Sequence, residues 1–164
     1  MEKEIVKRIF DFIEEKEGKK PRIYGNIAWK ILFNDPIIKE DLIVQGDLDI
    51  STLNITHLPK GLKIIGNADF RFSSLKTFPK NLFVEGDLNF EWTRFKSLSD
   101  DLYVGRNLFL SDSDIETLPK GLKVGGILFI SDTPLAKLSD EKIREMIKPG
   151  FIKGKIYREW TKKP

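Results

Sequence analysis

Apolar residues recur along the chain in columns twenty residues apart. Leu58, Phe78, Leu98, Leu118 and Leu138 form one column, which Ile38 extends backwards. Leu42, Leu62, Leu82, Leu102 and Leu122 form a second, and Val44, Ile64, Val84, Val104 and Val124 a third. Three more run through Leu48, Ala68, Leu88, Leu108 and Leu128, through Ile50, Phe70, Phe90, Leu110 and Ile130, and through Ile55, Leu75, Phe95, Ile115 and Leu135. Gly46, Gly66, Gly86 and Gly126 make a glycine column, broken where Arg106 takes the place and Gly105 sits one residue early. Inside each repeat the period is two, the alternation of an extended strand, interrupted at glycine. The Leu-Pro bend then returns the chain to the core. A single coil cannot bury its apolar side, so the pattern predicts five stacked coils sharing one core. A rung spacing of about 4.8 Å makes the stack on the order of 25 Å long.

The ends depart from the repeat. Ile5, Val6, Ile9, Phe10 and Ile13 follow helical spacing, with Gly18 as a stop. The stretch from Ile23 to Phe33 is apolar nearly all round, which predicts burial against the first coil, with helix from Asn26 to Phe33. After Leu138 the Leu column fails at Lys142. Ser139 or Asp140 caps a predicted helix with Ile143, Met146 and Ile147 on one face. FIKGKIYREW then alternates, as a last strand or an extended tail. The expected division is a helical cap at 1–37, a repeat solenoid at 38–138, and a cap helix with a basic tail at 139–164, all one cooperative domain.

Composition narrows the chemistry. With no Cys, disulfides, thiolate nucleophiles and Cys-based zinc sites are excluded, and a lone histidine, His57, excludes a multi-histidine metal site. No apolar run approaches the roughly 18–20 residues of a membrane span. The charged start MEKEIVKRIF lacks a signal-peptide stretch, so the expected compartment is the cytoplasm. The glycines do not form a phosphate loop, and nothing marks an activated nucleophile beside His57. The expectation is a non-enzyme without cofactor or metal.

The string L-x-L-x-x-T/S-x-I/L-x-x-L-P-x-x-L, best seen from Leu108 to Leu122, resembles the short leucine-rich repeats of bacteria and bacteriophages over about residues 38–138. That family usually carries Asn where this chain has Leu53, Ser73, Thr93, Ser113 and Thr133, and the Asn bonds backbone of neighbouring coils. The added V-x-G segment makes the back of each coil extended, closer to a two-sided β-solenoid than a horseshoe. The resemblance implies a protein-binding strand face. It also implies a phage or mobile-element setting, in which such a binder inhibits a host defence protein by occluding it.

Alternation names the outward side chains. The first column is Asp47, Asn67, Asp87, Asn107 and Ile127; the second Asp49, Asp69, Asn89, Phe109 and Phe129; the third Ser51, Arg71, Glu91, Ser111 and Ser131. Early coils thus present Asp47, Asp49, Asp69, Asp87 and Glu91, and late coils Phe109, Ile127 and Phe129. Asp and Asn after Gly also serve simply to shape the bend. Asp49 beside Asp69 repels across coils, which points to a partner with a basic surface. Phe109, Ile127 and Phe129 are either covered by the chain's own tail or open to a protein. Phe72 and Trp92 occupy equivalent places one residue past the face, as Phe83 and Tyr103 do on the opposite run. Such pairs read either as a structural ladder or as a binding hot spot.

The reading of function is a non-enzymatic protein–protein interaction module that uses the acidic strip and Phe72, Trp92, Phe109, Ile127 and Phe129. Two other classes stand beside it. The tail, with Lys148, Lys153, Lys155, Arg158, Lys162 and Lys163 among Phe151, Tyr157 and Trp160, has a composition suited to nucleic acid or to a solvated closing strand. A purely structural, self-assembling stack is the third. No membrane partner is expected, and the oligomeric state stays open.

Overall fold

The structure, a computed structural model, describes residues 26–159. A short helix, α1 (Asn26–Leu32), leads through a 3-10 turn at Lys39–Leu42 into twelve two-residue strands. They are β1 (Ile43–Val44), β2 (Leu48–Asp49), β3 (Lys63–Ile64), β4 (Ala68–Asp69), β5 (Phe83–Val84), β6 (Leu88–Asn89), β7 (Tyr103–Val104), β8 (Leu108–Phe109), β9 (Lys123–Val124), β10 (Leu128–Phe129), β11 (Phe151–Ile152) and β12 (Ile156–Tyr157). A second 3-10 turn (Pro134–Lys137) and helix α2 (Asp140–Met146) lie between β10 and β11. The odd-numbered strands form one six-stranded parallel sheet, sheet I, and the even-numbered strands a second, sheet II. The chain is therefore a two-sided β-solenoid in which each rung gives one strand to each sheet.

The register follows the columns. Val44 pairs with Ile64, Ile64 with Val84, and Leu88 with Leu108. Between the sheets lie the inward residues: Ile64, Val84, Val104, Val124, Leu48, Leu88, Leu108 and Leu128 are fully buried or nearly so. Phe70 and Phe90 fill the middle of this core, ringed by Phe78 and Phe95 at centroid distances of 4.9 Å and 5.5 Å from Phe90.

Glycine at the inter-sheet corner is a matter of space. A Cβ on Gly66 would lie 2.2 Å from Asp47 Oδ1, and one on Gly105 would lie 2.0 Å from the carbonyl oxygen of Glu85. In the fourth rung the close approach has moved back one residue, so Gly105 carries it and Arg106 is tolerated.

Four expectations are corrected. The stack has six rungs, not five: FIKGKIY is β11, glycine corner and β12, with Ile152 beside Val124 and Ile156 beside Leu128. Helix α2 replaces the Leu-Pro bend, so the repeat resumes after twenty-eight residues instead of twenty. Ile38 is 55% exposed and does not extend its column, because the 3-10 turn enters the first rung with no coil below it. Helix α1 buries only one face, Ile27 and Ala28, and leaves Leu32 exposed; Lys30 fixes it to Asp41 on the 3-10 turn at 2.5 Å. The hydroxyls of Thr93, Ser113 and Thr133 bond a carbonyl three residues back in their own coil, Phe90, Leu110 and Ile130, and not a neighbouring coil. The predicted helix before Gly18 lies outside the described residues, as do Trp160, Lys162 and Lys163.

Candidate functional site

Sheet II carries most of the residues singled out from the sequence, and the structure gives several of them work inside the fold. In the first outward column each side chain bonds the next rung. Asp47 Oδ1 accepts from the Asn67 amide at 2.6 Å, Asn67 Oδ1 from Asp87, Asp87 Oδ1 from Asn107, and Asn107 Oδ1 from Ile127, the last three at 2.9 Å. The ladder stops at Ile127, which has no acceptor to offer. Asp47 and Asp87 therefore hold corners together, the local reading of those residues.

The second column turns the chain. Asp49 Oδ1 accepts from the Ser51 amide at 2.9 Å and from its hydroxyl at 2.5 Å. Asp69 accepts from the Arg71 amide and holds its guanidinium at 2.6 Å, which raises the Arg71 pKa. Asn89 takes the Glu91 amide at 2.9 Å. The repulsion expected between Asp49 and Asp69 is offset by these bonds. In the later rungs Phe109, Phe129 and Tyr157 replace the polar residues and stack at 4.6 Å and 5.4 Å, with interplanar angles of 5° and 12°. The described part of the tail does not cover Phe109, Ile127 and Phe129: it adds Tyr157 beside them as the next rung, and all three are partly buried among the described residues.

The third column is not outward. Ser51, Glu91, Ser111 and Ser131 are buried, and Arg71 alone is exposed. Each strand of sheet II ends after two residues, so the alternation lapses and the chain turns its next polar residue inward. Glu91 is only 9% exposed. Asn89 Nδ2 donates to its Oε2 at 3.1 Å, and Oε1 accepts no hydrogen bond from the described residues. Burial pushes the Glu91 carboxyl up; the Asn89 bond and the Arg71 charge pull it back, while Asp112 and Asp69 push it further up.

One residue on, the chain turns through left-handed backbone in each of the first five rungs: Thr52, Phe72, Trp92, Asp112 and Asp132 have φ of 65°, 51°, 58°, 56° and 53°. Asp is accepted there readily, whereas bulky aromatic residues are outliers. Phe72 and Trp92 are nevertheless 57% and 53% exposed, stacked at 5.8 Å with planes 16° apart. One face of Trp92 meets Phe72, and in the fourth rung the equivalent residue is Asp112. Asp112 and Asp132 follow one another in this column, and neither forms an ion pair among the described residues. Burial raises the Asp112 pKa, and the Asp132 carboxylate adds to the rise. The sequence reading missed these two aspartates, although their twenty-residue spacing from Phe72 and Trp92 places them in the same column.

The remaining outward aromatic residues of the rungs form two further ladders. On sheet I, Phe83 and Tyr103 stack at 4.5 Å, and Lys63 Nζ lies 4.9 Å over the Phe83 ring. Phe129 is stacked on both sides and offers only its edge, whereas Phe109, Tyr157 and Tyr103 each have one ring neighbour. The described cations of the C-terminal segment are largely engaged within the chain. Arg158 bonds Asp140 at 2.5 Å and the Leu138 carbonyl at 3.0 Å, and Lys148 bonds Glu145 at 2.5 Å. Arg144 donates to the carbonyls of Ile152 and of Gly154, the groups that a seventh rung would use.

His57 is exposed and shares a 3.3 Å contact with Thr56. A shallow cavity of about 360 Å³ lies at the corner formed by Lys80, Asn81, Leu98, Ser99, Asp100 and Asp101. No cluster of metal-ligating side chains occurs among the described residues. No described helix is long and apolar enough to cross a membrane. No family model, curated protein or solved structure matches this chain.

Proposed function

We propose that the chain is a non-enzymatic binding module that contacts a protein partner through the Phe72–Trp92 corner of sheet II. The observation that carries this reading is two large aromatic side chains in left-handed backbone with half their surface in water. Each left-handed non-glycine residue costs about 1–2 kcal/mol, and one aromatic pair returns about 0.5–1.5 kcal/mol. Folding alone is better served by Asp, as in the next two rungs. A Trp with an open face, an adjacent aromatic ring and an Arg held in place by Asp69 has the composition of an interface hot spot. The half-exposed Phe109–Phe129–Tyr157 ladder continues the same side and would enlarge the contact. The mode of action proposed is occlusion of the partner's surface, in keeping with the resemblance to phage-type repeat binders that inhibit a host protein.

The test is photo-crosslinking in the native host, with a benzophenone amino acid placed in turn at positions 72, 92 and, on the other sheet, 63. One discrete protein adduct from 72 and 92, with none from 63, is the expected result. Equal adducts from position 63, or none from any position, would overturn the reading.

A further inference from the structure

The Phe72–Trp92 corner also carries information about what it binds. Trp92 stacks on Phe72 of the preceding rung, Asp112 holds the equivalent place in the next rung and Asp132 in the one after, and the buried Glu91 immediately precedes Trp92 in the chain. Arg71, the cation that acts on Glu91, is already committed to Asp69 at 2.6 Å. The chain thus places carboxylates beside an open indole face and supplies no counter-ion for Asp112 or Asp132 among the described residues. Neighbouring positions show the contrast. One turn further along the same two rungs, Arg94 meets Asp114 at 3.4 Å and Lys96 meets Glu116 at 2.9 Å. Charge is matched across rungs there and, among the described residues, left unmatched at Asp112 and Asp132.

We infer that this corner receives an arginine side chain of the protein partner, its guanidinium stacked on the free face of Trp92 and hydrogen-bonded to Asp112 and its neighbouring carboxylates. This rests on the reading of the corner as a protein contact. Arginine fits better than lysine, because its planar group can lie flat on the indole while its edge donates to a carboxylate. Its weaker hydration also lowers the cost of leaving water. Burial, and then the Asp132 charge, raises the Asp112 pKa. Protein partners are favoured over nucleic acid here, since the carboxylates at this corner would repel phosphates.

The test is a titration of the isotope-labelled full chain with hexa-arginine, hexa-lysine and hexa-glutamate peptides, following the Trp92 indole N–H signal, which the Trp92→Phe variant assigns. Hexa-arginine should shift that signal saturably, hexa-lysine more weakly and hexa-glutamate not at all. The paired change Asp112→Asn with Asp132→Asn should weaken hexa-arginine binding by about tenfold, and raising the salt should weaken it further. Asp100→Asn with Asp101→Asn, at the distant corner cavity, should leave it unchanged. Binding that survives loss of Asp112 and Asp132, or an indole signal that hexa-arginine does not move, overturns the inference. If crosslinks from positions 72 and 92 persist in that case, only the arginine assignment falls. If they fail as well, the contact surface falls with it.

Discussion

Along the strands of sheet II, rungs two and three turn their aromatic residues, Phe70 and Phe90, inward, whereas rungs four to six turn theirs, Phe109, Phe129 and Tyr157, outward. Phe70 and Phe90 fill the core where the outward positions are Asp69 and Asn89. Leu110 and Ile130 fill it where the outward positions are Phe109 and Phe129. The exposed side of sheet II is therefore closed in two ways. In the early rungs, Asp and Asn bind the turning backbone two residues on. In the late rungs, rings stack on one another. An acidic strip read from sequence as spare charge is, in the early rungs, mostly backbone support. The unassigned groups sit at the boundary between the two regimes, where Trp92 follows Phe72 in a stack and Asp112 and Asp132 form no ion pair among the described residues.

The sharpest break in this comparison is to delete one ring from each regime. Phe90→Ala removes a fully buried ring in contact with Phe70, Phe78 and Phe95, and should cost about 3–5 kcal/mol in denaturant unfolding. Phe129→Ala removes a half-exposed ring with stacking partners on both sides, and should cost about 1 kcal/mol. Equal losses would mean that the outer ladder is as much a core as the inner one.

The next effect belongs to the last rung. Arg144 donates to two carbonyls on the open edge of β11, Ile152 and Gly154. Charge-assisted bonds of this kind contribute about 1.5–3 kcal/mol each, so Arg144→Ala should lower stability by about 2 kcal/mol after water replaces part of the loss. Amide exchange should rise at Phe151 and Lys153, which bond Leu122 and Val124, and stay unchanged in the early rungs. Unaltered exchange in β11 would show that the edge does not depend on this arginine.

The inner columns were legible because burial acts on every turn alike, so a solenoid writes its core into sequence as a period. Val104 and Leu108 need no structure to be placed. The sixth rung was hidden by insertion of α2, which moves Ile152, Gly154 and Ile156 out of phase by eight residues while keeping their order. Glu91 was misplaced because alternation holds only while the strand does, and each strand here is two residues long. The left-handed corner was illegible at Phe72 and Trp92, since those residues do not announce positive φ, and was signalled only by Asp112 and Asp132 in the same column. The mutual bonds of Asp47, Asn67, Asp87 and Asn107 left a trace as a polar column after glycine, but sequence could not say that the acceptor serves the next rung.

That column offers a smaller test. Asn107 Oδ1 is the last acceptor, and its donor, Ile127, lies where the polar ladder gives way to the aromatic one. Asn107→Ala leaves a half-buried amide to find water, at a cost of about 1 kcal/mol. Asn67→Ala, whose bond is exposed, should cost less. Thermal unfolding of the two variants ranks them, and the reverse order would show that the ladder's strength does not follow burial.

The smallest effect has the opposite sign. Glu91 is an acid whose pKa is raised in the folded chain, chiefly by burial, so folding disfavours its charged form. The folded state then holds the proton to higher pH than the unfolded state, and stability falls as pH rises from the ordinary carboxyl range through the raised value. Above that window the penalty is complete. Glu91→Gln keeps the shape and the backbone bond to Asn89 while removing the charge. It should raise stability at neutral pH by less than about 1 kcal/mol and flatten the pH dependence in the weakly acidic range. The same variant should bind hexa-arginine less tightly. A carboxylate that weakens the fold yet strengthens cation binding marks the boundary as a place where stability is given up for recognition. A variant that gains stability with unchanged hexa-arginine affinity would place Glu91 outside the site and leave Asp112 and Asp132 to account for it.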